Sequence, residues 1–243
     1  MRLFGLIGKP LTHSFSKSYF TDKFSREAID NCRYESFELD QINEITDLIR
    51  SHPELNGLNV TIPYKEAVLQ FLDYQSEVVR SIGACNCIKI EKGELSGFNT
   101  DVFGFRISLE KLLKPAHNKG LILGSGGAAK AVGYVLDQLG ISYKVVSRKK
   151  EPGQISYEEL DEELIEQHKL IVNTTPLGMY PKEDTYPPIP FEFISTAHLL
   201  YDLIYNPEQT LFLKKGAMQG AVIKNGYEML HLQAEESWRI WNS

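Results

Sequence analysis

The residues best suited to chemistry fall in three short segments. The first is Gly124-Ser125-Gly126-Gly127-Ala128-Ala129, preceded by the apolar run Gly120 to Leu123 and followed by Ala131, Val132, Val135 and Leu136 at helical spacing. Strand, glycine turn and helix in that order form the setting in which a G-x-G-x-x-G/A fingerprint binds a dinucleotide. The glycines allow a tight turn and let a pyrophosphate approach the backbone, and the start of the helix offers unpaired N–H groups. The second segment ends the next strand, Tyr143 to Ser147, with Ser147-Arg148-Lys149-Lys150 and no acid before Glu151. An acid at this point would take the ribose hydroxyls of NAD and repel a 2′-phosphate. Guanidinium and ammonium groups attract that phosphate, so the position favours NADP; a solvated basic turn is the plainer alternative.

The third segment is Asn59-Val-Thr61-Ile-Pro-Tyr-Lys65, joined in type by Asn99-Thr-Asp101. Thr61 and Lys65 lie just beyond a strand, where open α/β sheets place ligands. Reducing a ketone by hydride requires a proton for the developing alkoxide. A lysine can supply it, and a carboxylate can hold that lysine in place. Taken locally, the same residues read more simply as a surface lysine and a helix N-cap aspartate.

Alternating strands and helices must position these groups. Arg2 to Gly8 reads as a buried strand, Ser18 to Asp30 as a helix, and Tyr34 to Leu39 as a second strand. Asp40 is placed to cap a helix carrying Ile42, Ile45, Leu48 and Ile49, and Gly57 to Thr61 forms a third strand. Helical sequence is expected from there to about Ile82, then a hairpin from Cys87 to Phe98 turning at Lys92-Gly93. A helix from Phe103 to Leu113 leads into a second α/β unit, whose later strands are Leu170 to Asn173, His198 to Ile204 and Ala221 to Lys224. An amphipathic helix from Tyr227 to Trp241 closes the chain. The alternation predicts an α/β protein of two domains, a mainly parallel first domain and a Rossmann-type second.

The bulk composition narrows the partners. With 243 residues, 42% of them apolar, the chain is long enough for two small domains. Lys and Arg total 26 against 32 Asp and Glu, and this mildly acidic balance argues against a nucleic-acid partner. No apolar run approaches the ~20 residues of a membrane span, and Lys9-Pro10 interrupts the apolar start, so the cytoplasm is the expected compartment. Cys32, Cys85 and Cys87 are an odd set without CxxC spacing, and the six histidines show no spacing suited to a metal, so no disulfide framework and no metal site are expected.

Together these segments resemble the shikimate dehydrogenase family over almost the whole chain. The matches follow the family's order. Gly8-Lys-Pro-x-x-His13-Ser14-x-Ser16, Asn59-Val-Thr-x-Pro-x-Lys65, Gly83-Ala-x-Asn86 and Asn99-Thr-Asp101 come first. Gly124-x-Gly-Gly-Ala128, Ser147-Arg148, Asn173-x-Thr-x-x-Gly178-Met179, Tyr201-Asp-x-x-Tyr205, Gly226-x-x-Met229-Leu and Gln233 follow. Each is weak alone; their joint order is specific. The resemblance implies NADP(H)-dependent, reversible reduction of 3-dehydroshikimate to shikimate in chorismate biosynthesis, with Lys65 and Asp101 as the catalytic pair. It implies that Ser14 and Ser16 hold the substrate carboxylate and that Thr61, Asn86, Tyr205 and Gln233 surround the ring hydroxyls. Gly124, Ser125, Gly126, Gly127, Ala128, Ser147, Arg148, Lys149, Thr174, Gly226 and Met229 would hold the cofactor. His13 reads as structural or cofactor-adjacent. If Gln233 reaches the substrate, the C-terminal helix returns to the first domain. The domains are then 1–101 with 226–243 for substrate and 102–225 for the dinucleotide.

Three departures from the family pattern stand out. Ser147-Arg148-Lys149 replaces the usual Asn-Arg-Thr, Cys87 replaces a Thr, and Glu151-Pro152-Gly153 shortens the helix that usually follows, leaving only Tyr157 to Gln167 helical. Two further readings stay open: a quinate/shikimate dehydrogenase using NAD, against which Arg148 and Ser16 speak, and a non-catalytic ligand-sensing module on the same scaffold. Monomer and homodimer are equally compatible with the composition.

Overall fold

The computed structural model describes residues 1–11 and 15–243. Contacts divide the chain into two units, Met1–Thr100 with Ala234–Ser243, and Asp101–Gln233.

The first unit is built on strand β1 (Arg2–Gly8), which is buried almost throughout because both its faces are covered. Leu3 and Ile7 point into one apolar cluster, and Phe4 and Leu6 into another, as the period of two requires. Helix α1 (Phe15–Arg26) leads to β2 (Cys32–Glu38), and α2 (Ile45–Ser51) leads to β3 (Leu55–Val60). The sheet continues with β4 (Tyr74–Gln75), β5 (Cys87–Glu91) and β6 (Glu94–Phe98), in the order β2-β1-β3-β5-β6-β4. Strands β1, β2 and β3 are parallel, and β5 runs antiparallel to both β3 and β6. The β5–β6 turn is the expected Lys92-Gly93, where both residues take positive φ, 53° and 86°.

Three local expectations change. Asp40 does not cap the helix after β2: its carboxylate pairs with Lys9, and Glu44 accepts the N–H groups of Asp40 (3.2 Å) and Gln41 (3.0 Å) instead. The stretch before Ile82 is not one helix but a 3-10 turn at Ala67–Phe71, then β4, then α3 (Glu77–Ile82). The break is made by Asp73, whose carboxylate accepts the Leu95 N–H at 2.8 Å, and the helix restarts on the Ser76 cap. Helix α4 (Thr100–Glu110) begins three residues before Phe103, because the side chain of Asn86 accepts the Thr100 N–H at 2.6 Å.

The second unit holds a five-stranded parallel sheet of β7 (Lys119–Leu123), β8 (Ser142–Val146), β9 (Leu170–Asn173), β10 (Leu199–Asp202) and β11 (Val222–Lys224), ordered β11-β10-β9-β7-β8. Helix α5 (Gly127–Gln138) connects β7 to β8, α6 (Glu162–Gln167) precedes β9, and α7 (Leu211–Met218) connects β10 to β11. Leu121, Leu123, Ile171 and Leu200 fill the core on one face, while Ile122, Val172, Leu199 and Tyr201 fill the other. Beyond β8, where a further strand would sit, the described residues form only the single bridge Val146–Ile155. Helix α8 (Tyr227–Trp241) closes the chain. Its residues from Ala234 onward belong to the first unit, where Trp241 stacks on Phe4 (4.8 Å, 23°) and donates its indole N–H to the Ile88 carbonyl at 3.0 Å.

Candidate active site

In the first unit two of the expected residues, Thr61 and Lys65, follow the carboxyl end of β3. Thr61 is half-buried, donates its N–H to the Ile7 carbonyl at 2.9 Å, and lays its methyl over Gly8, where any Cβ would come within 2.3 Å. Lys65, also half-buried, is anchored through its backbone, whose carbonyl accepts the Cys85 N–H at 2.8 Å. That bond places Lys65 beside the segment that carries Asn86. Asn86 is 3% exposed, and both ends of its amide group meet Thr100: Oδ1 accepts the Thr100 N–H, and Nδ2 donates to Thr100 Oγ1 at 3.1 Å.

Thr100 in turn contacts the Ser237 hydroxyl at 3.2 Å, and Ser237 accepts from Asn59 Nδ2 at 2.9 Å. The Tyr34 hydroxyl donates to Asn59 Oδ1 at 2.9 Å, and Ser16 hydrogen-bonds to the Tyr34 phenol oxygen. Ser16, Tyr34, Asn59, Ser237, Thr100 and Asn86 thus form one connected polar chain inside an apolar unit. Burial pushes the Tyr34 phenol well up, a shift that the bond from Ser16 opposes, so Tyr34 stays protonated and remains a donor to Asn59. Burial likewise raises the Cys87 thiol, keeping it an inert core group. Ser14 and His13 lie outside the described residues.

In the second unit the chain reverses its direction of build across β7: β8 lies on one side and β9 on the other. That reversal is the switch point at which open α/β sheets bind ligands, outside the carboxyl ends of the strands. Gly124 makes the turn with φ 108°, and an added Cβ would lie 2.7 Å from Thr174 Oγ1. Thr174 is fixed there by two bonds to the Leu123 carbonyl, from its N–H at 2.9 Å and its hydroxyl at 2.7 Å. Gly126 is the N-cap of α5 with no side-chain cap, and a Cβ there would meet nothing within 4 Å. Open space over an uncapped helix start, with Gly127 and Ala128 as its first small residues, suits a phosphate. Ser125 and Ser147 bring their hydroxyls within 3.4 Å, and Arg148 and Lys149 are exposed at the end of β8.

The floor beside Thr174 is tied by a buried carboxylate. Asp202, 0% exposed, accepts from Asn173 Nδ2 (3.0 Å), the Ile204 N–H (3.0 Å) and Thr210 Oγ1 (2.6 Å). Asn173 Oδ1 accepts in turn from Thr175, from N–H at 3.0 Å and from Oγ1 at 2.7 Å. Desolvation pushes the Asp202 carboxyl up to about 6, against the three hydrogen bonds that favour its ionised form.

Of the remaining expected residues, Asp101 lies in the first turn of α4 and Tyr205 is half-buried in the loop after β10, with its phenol raised by burial. Gly226 accepts no side chain: a Cβ would sit 2.0 Å from the Leu203 carbonyl oxygen. Helix α8 starts on it, and Met229 packs against the core around Phe105 and Tyr201. Gln233 is buried, its Nε2 donating to the Leu230 carbonyl at 3.0 Å. Gly104 lets α4 approach α8, since a Cβ there would lie 2.5 Å from the Met229 carbonyl.

Sequence reasoning named the two ends of the polar chain, Ser16 and Asn86, and missed its middle. Asn59 was within a quoted motif. Ser237 carried the fainter signal of a polar residue four positions after Gln233, in an otherwise apolar stripe with Ala234, Trp238 and Trp241. Asp202 was likewise inside a motif, without a role. Two shallow cavities, one of 490 Å³ beside Glu208, Leu213 and Lys224 and one of 280 Å³ beside Arg2, Lys89 and Ser243, contain none of the expected residues. Among the described residues, no group of His, Cys, Asp and Glu is arranged to hold a metal, and no helix is long and apolar enough to cross a membrane.

Known proteins resemble this chain over both units. Residues 6–88 match the family described as the shikimate dehydrogenase substrate binding domain. A relative from Clostridium beijerinckii named shikimate dehydrogenase (NADP(+)) is 39% identical over 251 residues, covering 99% of this chain and 92% of that protein. Among solved structures, a chorismate mutase/shikimate 5-dehydrogenase fusion protein from Clostridium acetobutylicum is 38% identical with a TM-score of 0.87, covering 100% of this chain and 91% of that one. Shikimate 5-dehydrogenase from Thermus thermophilus, in complex with NADP(H) and shikimate, is 28% identical with a TM-score of 0.88, covering 99% and 93%.

Proposed function

The chain belongs to the shikimate dehydrogenase family, and we propose that it catalyses the NADP-dependent, reversible reduction of 3-dehydroshikimate to shikimate in chorismate biosynthesis. The observation that carries this reading is the presence, in one chain, of two ligand-facing sheet ends: β3 followed by Thr61 and Lys65, and β7 followed by the glycine turn with Arg148 at the end of β8. Residues 1–101 with 226–243 serve mainly the substrate, and 102–225 serve mainly the dinucleotide.

The residues present fit NADP(H). The open, uncapped start of α5 at Gly126 receives the pyrophosphate, and Arg148 with Lys149 meets the 2′-phosphate. Ser125, Ser147, Thr174, Gly226 and Met229 complete the cofactor's surroundings. When bound, the nicotinamide supplies or accepts the hydride. The protein's own groups handle the proton: Lys65 gives one to the carbonyl oxygen as negative charge develops there, and takes it back in the reverse direction. Asp101 orients Lys65. Ser14 and Ser16 donate to the substrate carboxylate, and Thr61, Asn86, Tyr205 and Gln233 fix the ring hydroxyls through directional bonds.

The expected setting is the cytoplasm, where the protein acts as a monomer or homodimer. The deciding experiment is NADPH formation from shikimate and NADP+ by the purified protein, repeated with quinate and with NAD+. Turnover fastest with shikimate and NADP+ is expected. Preference for quinate or NAD+ would make it a quinate/shikimate enzyme, and no turnover with any pair would leave a ligand-binding module.

A further inference from the structure

The end of β8 lacks an acid in sequence, yet the fold brings one there. Directly after Arg148, over residues 149–156, the chain forms no helix. It turns at Glu151–Gln154 (N–H to carbonyl, 3.0 Å) and comes straight back, so that the Ile155 carbonyl accepts the Ser147 N–H at 2.9 Å and the Ile155 N–H reaches the Val145 carbonyl at 2.9 Å. This short return delivers Glu159 beside the basic run. Its Oε1 accepts from Lys150 Nζ at 2.8 Å, and its Oε2 accepts the Ser156 N–H at 2.7 Å. The second bond is half of a capping box on the 3-10 turn Tyr157–Glu159, so the carboxylate is held by backbone rather than left to wander. Among the described residues neither Arg148 nor Lys149 is in an ion pair, and the charge of Arg148 is felt by the buried Tyr157 phenol, which burial pushes up to about 12.

We propose that Glu159 is a cofactor-specificity residue: by engaging Lys150 at the end of β8 it withholds one of three cations from the 2′-phosphate and so limits the preference for NADP over NAD. The inference rests on the dinucleotide reading of the α5 turn, but not on turnover. An exposed pair of this kind is weak, so a phosphate dianion competes with Glu159 for Lys150 and wins only partly. Removing the carboxylate frees the Lys150 ammonium to meet the phosphate. Across several ångströms of high-dielectric solvent this is worth roughly a 3- to 10-fold gain in affinity, diminishing as salt is raised.

Calorimetric titration with adenosine 2′,5′-bisphosphate and with 5′-AMP tests this on the whole protein. Glu159→Gln keeps a side chain able to complete the capping box, and circular dichroism checks that it folds. Expected is tighter binding of the bisphosphate by Glu159→Gln with 5′-AMP unchanged, a gain abolished in the Glu159→Gln, Lys150→Ala double variant. Lys150→Ala alone should weaken the bisphosphate less than about twofold, because that charge is already engaged. Unchanged bisphosphate affinity in Glu159→Gln, an equal gain for 5′-AMP, persistence of the gain without Lys150, or a large loss in Lys150→Ala alone would each overturn the proposal. Failure of the wild-type protein to bind either nucleotide would instead refute the dinucleotide reading on which it rests.

Discussion

Replacing Asp202 by Asn is expected to change how the stability of the second unit depends on pH. The carboxylate is fully buried and accepts three hydrogen bonds, from Asn173, Ile204 and Thr210. Those donors favour the ionised form, but desolvation outweighs them and lifts the group from 3.8 to about 6. A displacement of that size corresponds to about 3 kcal/mol. The sign follows from linkage. Because the folded pKa lies above the unfolded one, the folded state binds the proton more tightly. That stabilisation is fully present below about pH 4, is lost as pH rises through about 6, and stays lost above it. Asn at this position carries no such dependence, so the unfolding free energy of the wild type minus that of Asp202→Asn should fall by about 3 kcal/mol between about pH 4 and about pH 7. Urea unfolding followed by far-ultraviolet circular dichroism measures the difference. If the three hydrogen bonds outweighed burial, the difference would rise with pH instead; a rise, or a flat profile, would refute the reasoning.

Lys65→Met removes the proposed proton donor and should lower kcat by roughly 10²- to 10⁴-fold with little change in the KM for shikimate; steady-state kinetics with near-normal kcat would remove Lys65 from the chemistry. Ser237→Ala leaves Asn59 Nδ2 with only its 3.3 Å contact to the Asn86 carbonyl. It should cost about 1–3 kcal/mol, read as a lower urea midpoint, and should raise KM for shikimate more than KM for NADP+ if Asn86 is displaced. Gly226→Ala drives a methyl into the Leu203 carbonyl, which is backbone and cannot swing aside. A loss of about 1–3 kcal/mol with a raised KM for NADPH is expected, and a thermal midpoint equal to wild type would show that the close approach is relaxed in solution.

How much was legible depended on how far apart in the chain the deciding partners lie. The unit β7, glycine turn, α5, β8 could be read directly, because its apolar spacing, its glycines and the basic strand end are all local. The interval before Ile82 could not. Val68, Leu69, Leu72, Val79 and Ile82 are compatible with one continuous helix, and what breaks it is Asp73 bonding to Leu95, 22 residues away. The same holds for the candidate site. Lys65, Asp101 and the glycine turn were identified by residue type within motifs. The side chains that hold Asn86 could not be, because Tyr34 reaches Asn59 across 25 residues and Asn59 reaches Ser237 across 178.

This difference has a physical basis. An apolar core tolerates many arrangements of similar volume, so its pattern is redundant and shows through as periodicity. A buried polar group has only the few partners that satisfy its donors and acceptors, and leaving one unmade costs as much as the bond itself or more. Its partner can come from any element the fold brings near, and a single Ser on an apolar helix face gives no hint of which. Glu159 illustrates the point from the other side. Nine residues separate it from Lys150, close enough to count in sequence, yet the absence of an acid within the strand end suggested an undiluted basic patch. Only the tight return through Gly153, with its φ of 84°, turns that distance into a contact. The residues most open to such revision are therefore charged ones beside a shortened connection, where removing a helix brings a distant side chain onto the place a ligand is expected to use.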